Sequence, residues 1–218
     1  MLWSAWYDEV LPDCPGVGQA FASQCIRAAA IEFFEESRAW QETSDAMNAV
    51  ANQADYAFVK TGVTDTIPGE MIVDMVDVQQ VWWKGGEIDP FSRIDLIAEF
   101  QNWPTQTGQP EGFLCLAPDK ITLAGYPTAS EAGVIKATAI LKPTRSATGI
   151  TDARGREYFD AIAYGAKARI QSSPGKPFTE MNAAARNRQK FEDEIAKHCL
   201  KATMGKNRSA MRRTTRFF

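Results

Sequence analysis

The side chains best suited to nucleophilic chemistry are adjacent in the chain, where the single histidine, His198, precedes Cys199. A histidine can activate a cysteine or serine when a third group orients its ring. Both residues fall within a helical pattern, however, and neighbouring side chains on a helix point about 100° apart. We therefore predict that His198 is a partly exposed residue near a helix end, where a cation is favourable, and that it has no catalytic role.

Carboxylates that could hold a metal ion occur in two clusters, one formed by Glu32, Glu35 and Glu36 and the other by residues 192–194. Carboxylate metal sites in helix bundles also use Glu-x-x-His motifs on facing helices. A chain with one histidine cannot supply two such motifs. The clusters are therefore interpreted as solvated or intersubunit helix faces, with arginines such as Arg188 as ordinary partners.

Motifs for cofactors are incomplete. The turn at residues 15–18 precedes a helix and contains two glycines, but Phe21 stands where a dinucleotide fingerprint needs a third glycine. None of the four cysteines belongs to a CxxC pair, which indicates free thiols rather than a zinc or redox motif. The sequence predicts no catalytic, cofactor-binding or metal residues, and a protein that is not an enzyme.

The composition is that of an ordinary globular protein. The chain has 218 residues, of which 44% are hydrophobic and 23% are charged, and its formal net charge is -3. That charge is too small to indicate a nucleic-acid binder overall. No apolar run approaches the length of a membrane-spanning helix, so no membrane association is expected.

One stretch, residues 205–218, is strongly biased in charge. Its basic side chains have no acidic residue among them, and the stretch ends on two phenylalanines. Such a segment is either a disordered terminus or an arm that orders on a negatively charged protein or nucleic acid. The phenylalanines add apolar anchors and favour a protein. The residues predicted to contact a partner are Arg208, Arg212, Arg213, Arg216, Phe217 and Phe218.

Long helical patterns lie at the two ends of the chain. Residues 18–40 carry one apolar stripe with alanines at its centre, which allow another helix to approach closely. Residues 158–170 and 181–199 have the same period. A short helix at residues 2–11 is also predicted. Since no single helix can bury its own apolar face, we expect the two ends to pack together.

The middle of the chain has the pattern of a small antiparallel sheet with one buried face. Apolar residues of the stretch 71–83 change phase, and a bulge near Asp77 would reconcile the two phases. Adjacent glycines in Lys84-Gly85-Gly86-Glu87 indicate a hairpin turn. Because neighbours on a strand face opposite ways, only one member of the pair Trp82 and Trp83 should lie in the core.

These patterns predict an α+β fold. A four-helix bundle made of the N- and C-terminal helices would carry an inserted small antiparallel β-domain and a basic C-terminal arm. The predicted domains are a helical bundle of residues 1–46 and 147–204, an inserted β-rich domain of residues 47–146, and the arm of residues 205–218.

The order of these elements resembles a known family, the head-to-tail adaptor (connector) proteins of tailed bacteriophages, including those similar to tail tubular protein A. Residues 6–40 carry the most specific likeness, WYDEVLPDCPGVGQAFASQCIRAAAIEFFEESRAW. The later segments resemble the family in outline, in VQQVWWKGGEIDPFSR at residues 78–93 and in REYFDAIAYGAKARIQSSPGKPFTE at residues 156–180. The resemblance covers nearly the full chain.

The resemblance implies a structural virion protein with no cofactor. Such adaptors form a homo-oligomeric ring, usually of twelve subunits, between the portal protein and the tail (nozzle or tube) proteins. Genomic DNA passes through the channel that the ring lines. The implied location is the head-tail junction of the virion, after assembly in the host cytoplasm.

Two other functions fit parts of the sequence. A nucleic-acid-binding factor would place the basic tail on phosphates, and its binding would weaken steeply with salt. A tail-terminator or stopper protein of the same virion would also be structural, but such proteins are usually smaller and richer in β-structure than the long helices here suggest.

Overall fold

The computed structural model of the protein describes residues 1–58, 60, 73–99, 107–117 and 120–204. In this part of the chain a 3-10 turn (Trp3–Trp6) is followed by six helices, α1 (Tyr7–Val10), α2 (Gln19–Ser37), α3 (Arg93–Glu99), α4 (Asp152–Glu157), α5 (Phe159–Gln171) and α6 (Met181–Met204). The strands are β1 (Gln41–Thr43), β2 (Met47–Ala49), β3 (Asp55–Ala57), β4 (Val73–Trp83), β5 (Gly86–Pro90), β6 (Gly112–Ala117), β7 (Lys120–Ala124) and β8 (Glu131–Pro143).

The strands form one large mixed sheet. Its order is β1-β8-β4-β5-β6-β7-β3, and β2 pairs with β8 beside β1. The pairing of β5 with β6 is parallel, and the other pairings are antiparallel. The two longest strands, β4 and β8, pair from Val73 opposite Pro143 to Trp83 opposite Ile135. This ladder is the centre of the sheet, and shorter strands extend it on both sides.

Strand β4 keeps its apolar residues on one face by means of two irregularities. The pairing with β8 shifts once between Met75 and Asp77 and again between Val78 and Gln80. Each shift inserts one residue, which reverses the alternation of side chains. As a result Val73, Met75, Val78, Val81 and Trp83 are all buried. The bulge predicted near Asp77 is confirmed, and the second irregularity was not predicted.

The turn between β4 and β5 is the predicted hairpin. Its two central residues, Lys84 and Gly85, have φ angles of 50° and 83°. Positive φ at both positions is the geometry of the two-residue turns that match the twist of the flanking strands. This short turn fixes the register in which Trp82 pairs with Glu87.

The N-terminal and C-terminal helices pack together, as predicted. Helix α2 contacts both α5 and α6, and it also lies against β8. The three long helices meet closely at Gly165 of α5. A Cβ atom there would lie 2.7 Å from Cε2 of Phe191 and 2.9 Å from Cβ of Ala29. The glycine therefore sets the distance between the helices.

The predicted four-helix bundle with a small inserted β-domain is wrong. The protein has an α+β fold with a large curled mixed sheet of eight strands and six helices in the described residues. One continuous hydrophobic core joins helix residues such as Phe33 to sheet residues such as Val81 and Ile135. The helices bury their apolar faces against the sheet as well as against one another, and a fourth bundle helix is not needed. The division into domains at residues 46 and 147 stays a prediction.

The first residues of the chain are anchored to a distant segment. The indole Nε1 of Trp3 donates to the carbonyl oxygen of Ala147 at 2.7 Å, and that of Trp6 donates to the carbonyl oxygen of Phe159 at 3.0 Å. The Trp6 ring also stacks on Phe159, with centroids 5.2 Å apart. These contacts close the core against the segment before α4 and the start of α5.

Candidate interaction surfaces

The structure places the candidate catalytic and metal-binding residues in structural roles. No group of three or more His, Cys, Asp or Glu residues that could hold a metal ion occurs in the described part of the chain. The four cysteines are free thiols. Burial raises the pKa of the Cys14 thiol to about 11, so this thiol is protonated at neutral pH and a poor nucleophile.

His198 lies in the core, and the prediction that it is partly exposed is wrong. The residue is 8% exposed, and its ring meets those of Tyr158 and Phe33 edge-on at 4.9 and 5.7 Å. Its Nε2 atom lies 3.3 Å from a carboxylate oxygen of Glu194. Burial lowers the pKa of His198, and the positive charge of Lys201 lowers it further, against the opposite effect of Glu194. The ring is thus an aromatic member of the core.

Replacing His198 with glutamine should reduce the loss of stability in acid. Because the folded state lowers the pKa of His198, the unfolded chain takes up this proton first as the pH falls. The contribution of neutral His198 to stability is therefore complete above about pH 6.5, and it is lost as the pH falls from there through the lowered pKa. Urea denaturation of both proteins at pH 7.5 and pH 5 measures the difference. Equal losses of stability in the two proteins would contradict the buried, neutral state of the ring.

Glu32 was predicted to lie on a solvated or intersubunit helix face, and the structure instead shows that it ties three helices of one subunit together. Its carboxylate accepts hydrogen bonds from Arg169 of α5 and from Nη1 of Arg188 of α6, the latter at 2.6 Å. The Glu32 side chain is only 17% exposed. Hydrogen bonds to Glu32 and Glu192 raise the pKa of Arg188. These ion pairs engage Glu32 within the subunit and leave it unsuited to a metal.

Lys167 is a buried charge that was not predicted from the sequence. Burial opposes its charge, but hydrogen bonds to Asp13 and Glu9 outweigh that effect and raise its pKa. Its Nζ atom lies 2.7 Å from a carboxylate oxygen of Asp13 and 2.6 Å from one of Glu9. The only signal in the sequence was a lysine within an apolar helical stripe. The ion pairs fix α1 and the following turn on α5.

The outer face of the sheet carries an apolar cleft around Trp82. Trp83 is buried and Trp82 is half-buried, which confirms that the two neighbours face opposite ways. The cleft has a volume of about 530 Å³. It is lined by Thr43, Trp82, Lys84, Gly85, Glu131, Gly133, Val134 and Lys136. We call it the Trp82 cleft.

A second apolar surface lies on α3. Ile94 is 79% exposed and Ile97 is 55% exposed. Residues three apart on a helix share one side. We call this pair the α3 knob. Ser92 accepts a hydrogen bond from the backbone N–H of Asp95 at 3.2 Å and so caps the start of this helix.

The residues predicted to contact a partner, Arg208, Arg212, Arg213, Arg216, Phe217 and Phe218, lie outside the described residues. Their role stays a prediction.

None of the helices in the described part of the chain combines the length and apolarity that crossing a bilayer would require.

Comparison with known proteins identifies the family. The model of the SU10 adaptor protein family matches residues 4–216, which is nearly the whole chain and includes most of the basic segment. No curated protein matches the chain. Members of this family are head-to-tail adaptors of phage virions, associate with portal and tail components, and are typically not enzymes. The chain therefore belongs to the SU10 adaptor protein family.

Proposed function

We propose that the protein forms a ring, of twelve copies as is usual for such adaptors, that joins the portal to the tail. In this proposal the basic segment of residues 205–218 binds the portal, the opposite surface receives the nozzle or tube proteins, and the ring lines the channel through which DNA leaves the capsid. The observation that carries the proposal is the family match, because it continues through the basic segment to residue 216.

The distribution of charge supports a protein-binding role for the basic segment. Of the 24 basic and 27 acidic side chains, five basic and no acidic ones lie after residue 204. The remainder of the chain is therefore net negative by eight charges. A cationic segment on a negatively charged body is attracted to acidic protein surfaces and can order when it binds one.

Two separate apolar surfaces are available for contacts between copies. The Trp82 cleft lies on the sheet, and the α3 knob is a pair of exposed isoleucines on a helix. When two unlike surfaces meet without a reciprocal exchange, the contact is heterologous, and heterologous contacts close into rings when the rotation between copies allows it.

Ending the chain at Met204 should leave the folded body intact and weaken portal binding at least about tenfold, which corresponds to about 1.4 kcal/mol. Two full-length variants separate charge from apolar contact. One carries Arg208→Gln, Arg212→Gln, Arg213→Gln and Arg216→Gln, and the other carries Phe217→Ala and Phe218→Ala. Co-sedimentation with purified portal over a range of salt measures binding, and the contribution of the arginines should fall as salt rises.

Thermal melting serves as the control for folding, since the described core ends at α6. If the chain ending at Met204 joined portals as well as the full-length protein, the proposed role of the basic segment would be wrong. A gel shift with duplex DNA tests the nucleic-acid alternative on the same variants. Salt-sensitive DNA binding by the purified protein, lost on removing the segment, would favour that alternative.

A further inference from the structure

We propose that the α3 knob of one copy inserts into the Trp82 cleft of the next copy and forms the subunit contact of the ring. The proposal rests on the proposed function, since it names the surfaces that a ring would use. Its occupant is a second copy of this chain.

The Trp82 cleft has the form of a socket for aliphatic side chains. The Trp82 side chain lines it, on the sheet face opposite the core. Its wall includes two glycines, and a Cβ atom built on Gly85 would meet nothing within 4 Å. A Cβ atom built on the other, Gly133, would meet only Cβ of Ala46, at 3.7 Å, so neither glycine is closely covered. A half-buried tryptophan in such a pocket is the kind of residue that dominates binding energy at protein interfaces.

The α3 knob has the matching properties. Ile94 has the largest exposed fraction among the bulky hydrophobic residues that the structure describes. Ser92 donates to a carboxylate oxygen of Asp95 at 2.5 Å and accepts from its backbone N–H, so the start of the helix is held in place. A rigid pair of isoleucines loses little conformational freedom when it enters a socket.

The net charges beside the two surfaces are opposite in sign. Lys84, Lys136 and Glu131 line the Trp82 cleft, and Lys84 pairs with Glu131 at 2.6 Å, which leaves the charge of Lys136 in excess. On the other surface Arg93 and Asp95 flank Ile94, and Asp89 near the end of β5 makes the net charge there negative. Opposite charges at the rim of an apolar contact fix its orientation and reject wrong partners.

The placement of the two surfaces permits a head-to-tail contact. Trp82 pairs with Glu87 near the start of β5, and α3 follows the other end of the same strand. At about 3.3 Å per residue, the five residues of β5 separate the two ends by about 17 Å. Because the two surfaces do not overlap, one copy can offer its knob to one neighbour and its cleft to another, which a closed ring requires.

The test is a disulfide between neighbouring copies. Ile94→Cys and Val134→Cys are introduced together in a background with Cys115→Ser and Cys199→Ser, which removes the exposed and half-exposed natural thiols. The protein is oxidised alone and after mixing with purified portal. We expect a ladder of covalent oligomers on a denaturing gel. The matched control pairs Ile94→Cys with Val50→Cys, another exposed residue that does not line the cleft, and should give at least about tenfold less product.

A second measurement does not depend on cross-linking. Ile94→Asp should raise the protein concentration needed for half-maximal ring assembly at least about tenfold, because it places a charge in an apolar socket, whereas Ile94→Leu should not. Unchanged melting temperatures would exclude an effect on folding. Rings that form without the ladder would overturn this contact and leave the proposed function intact. Failure of the unaltered protein to form rings, with or without portal, would overturn both.

Discussion

Replacing Phe33 with alanine lowers the free energy of unfolding by about 3–5 kcal/mol. Phe33 is completely buried on α2 and is surrounded by other rings. Its centroid lies 5.1 Å from that of Tyr158, 5.3 Å from Phe34 and 6.3 Å from Phe191. Removing the ring leaves a cavity between α2, α6 and the junction of α4 with α5, and packed elements cannot collapse to fill it.

The measurement is equilibrium denaturation in urea, with Phe21→Ala as the matched control. Phe21 lies on the same helix but is 37% exposed, and its ring contacts only Phe178, at 6.1 Å, among the ring pairs in the described residues. We expect the control to lose less than about 1 kcal/mol. Similar losses for the two variants would mean that the aromatic cluster is not the centre of the core.

Replacing Gly165 with alanine destabilises the protein by about 1–3 kcal/mol, although the same change in an exposed helix stabilises by about 1 kcal/mol. The added methyl group would approach Cε2 of Phe191 to 2.7 Å and Cβ of Ala29 to 2.9 Å. The contact with Phe191 can be relieved by moving its ring, but the contact with Ala29 requires α2 and α5 to separate. A loss of stability, where an exposed helix would gain it, therefore shows that the two helices are closely packed at this position.

A second substitution tests this explanation. Phe191→Leu shortens the side chain that meets position 165, so it should lessen the cost of Gly165→Ala when the two changes are combined. Thermal and urea denaturation of the unaltered protein, the two single variants and the double variant give the coupling free energy between the two positions. Additive effects, or stabilisation by Gly165→Ala alone, would show that α5 does not approach its neighbours at this position.

The elements with a strong period were predictable from the sequence. The apolar stripe of α2 and the alanines at its centre correctly indicated close helix packing, and Ala29 indeed faces Gly165. The phase change in β4 and the glycines after Trp83 correctly located a bulge and a hairpin. In each case a single local pattern was sufficient, because the pattern reflects the buried face of its own element.

The size of the sheet was not predictable in the same way. Strands β1 and β2 have three residues each, which is too short for any alternation to appear. They become strands because the edge of β8 offers them hydrogen-bonding partners about ninety residues later in the chain. The parallel pairing of β5 with β6 likewise depends on tertiary contacts. Because these pairings leave no local pattern, the sequence predicted only a small sheet and a separate four-helix bundle to bury the helices.

The candidate surfaces were partly visible in the sequence. The pair Trp82 and Trp83 predicted one tryptophan outside the core, and the basic segment was evident from its charge alone. The exposure of Ile94 was not foreseen, since helical spacing does not tell which face a neighbour covers. Arg188 was correctly named as a partner of the acidic clusters, but the ion pair of Glu32 with Arg169 could not be inferred, because the two residues meet only after the helices have packed.

The hydrogen bonds of Trp3 to Ala147 and of Trp6 to Phe159 have a consequence for biosynthesis. On the ribosome, Trp3, Trp6 and the apolar face of α2 emerge more than a hundred residues before α5 can cover them. At about 5–20 residues per second, this face remains uncovered for roughly ten seconds. A nascent chain with such a stripe is a natural client for chaperones that shield hydrophobic segments during translation.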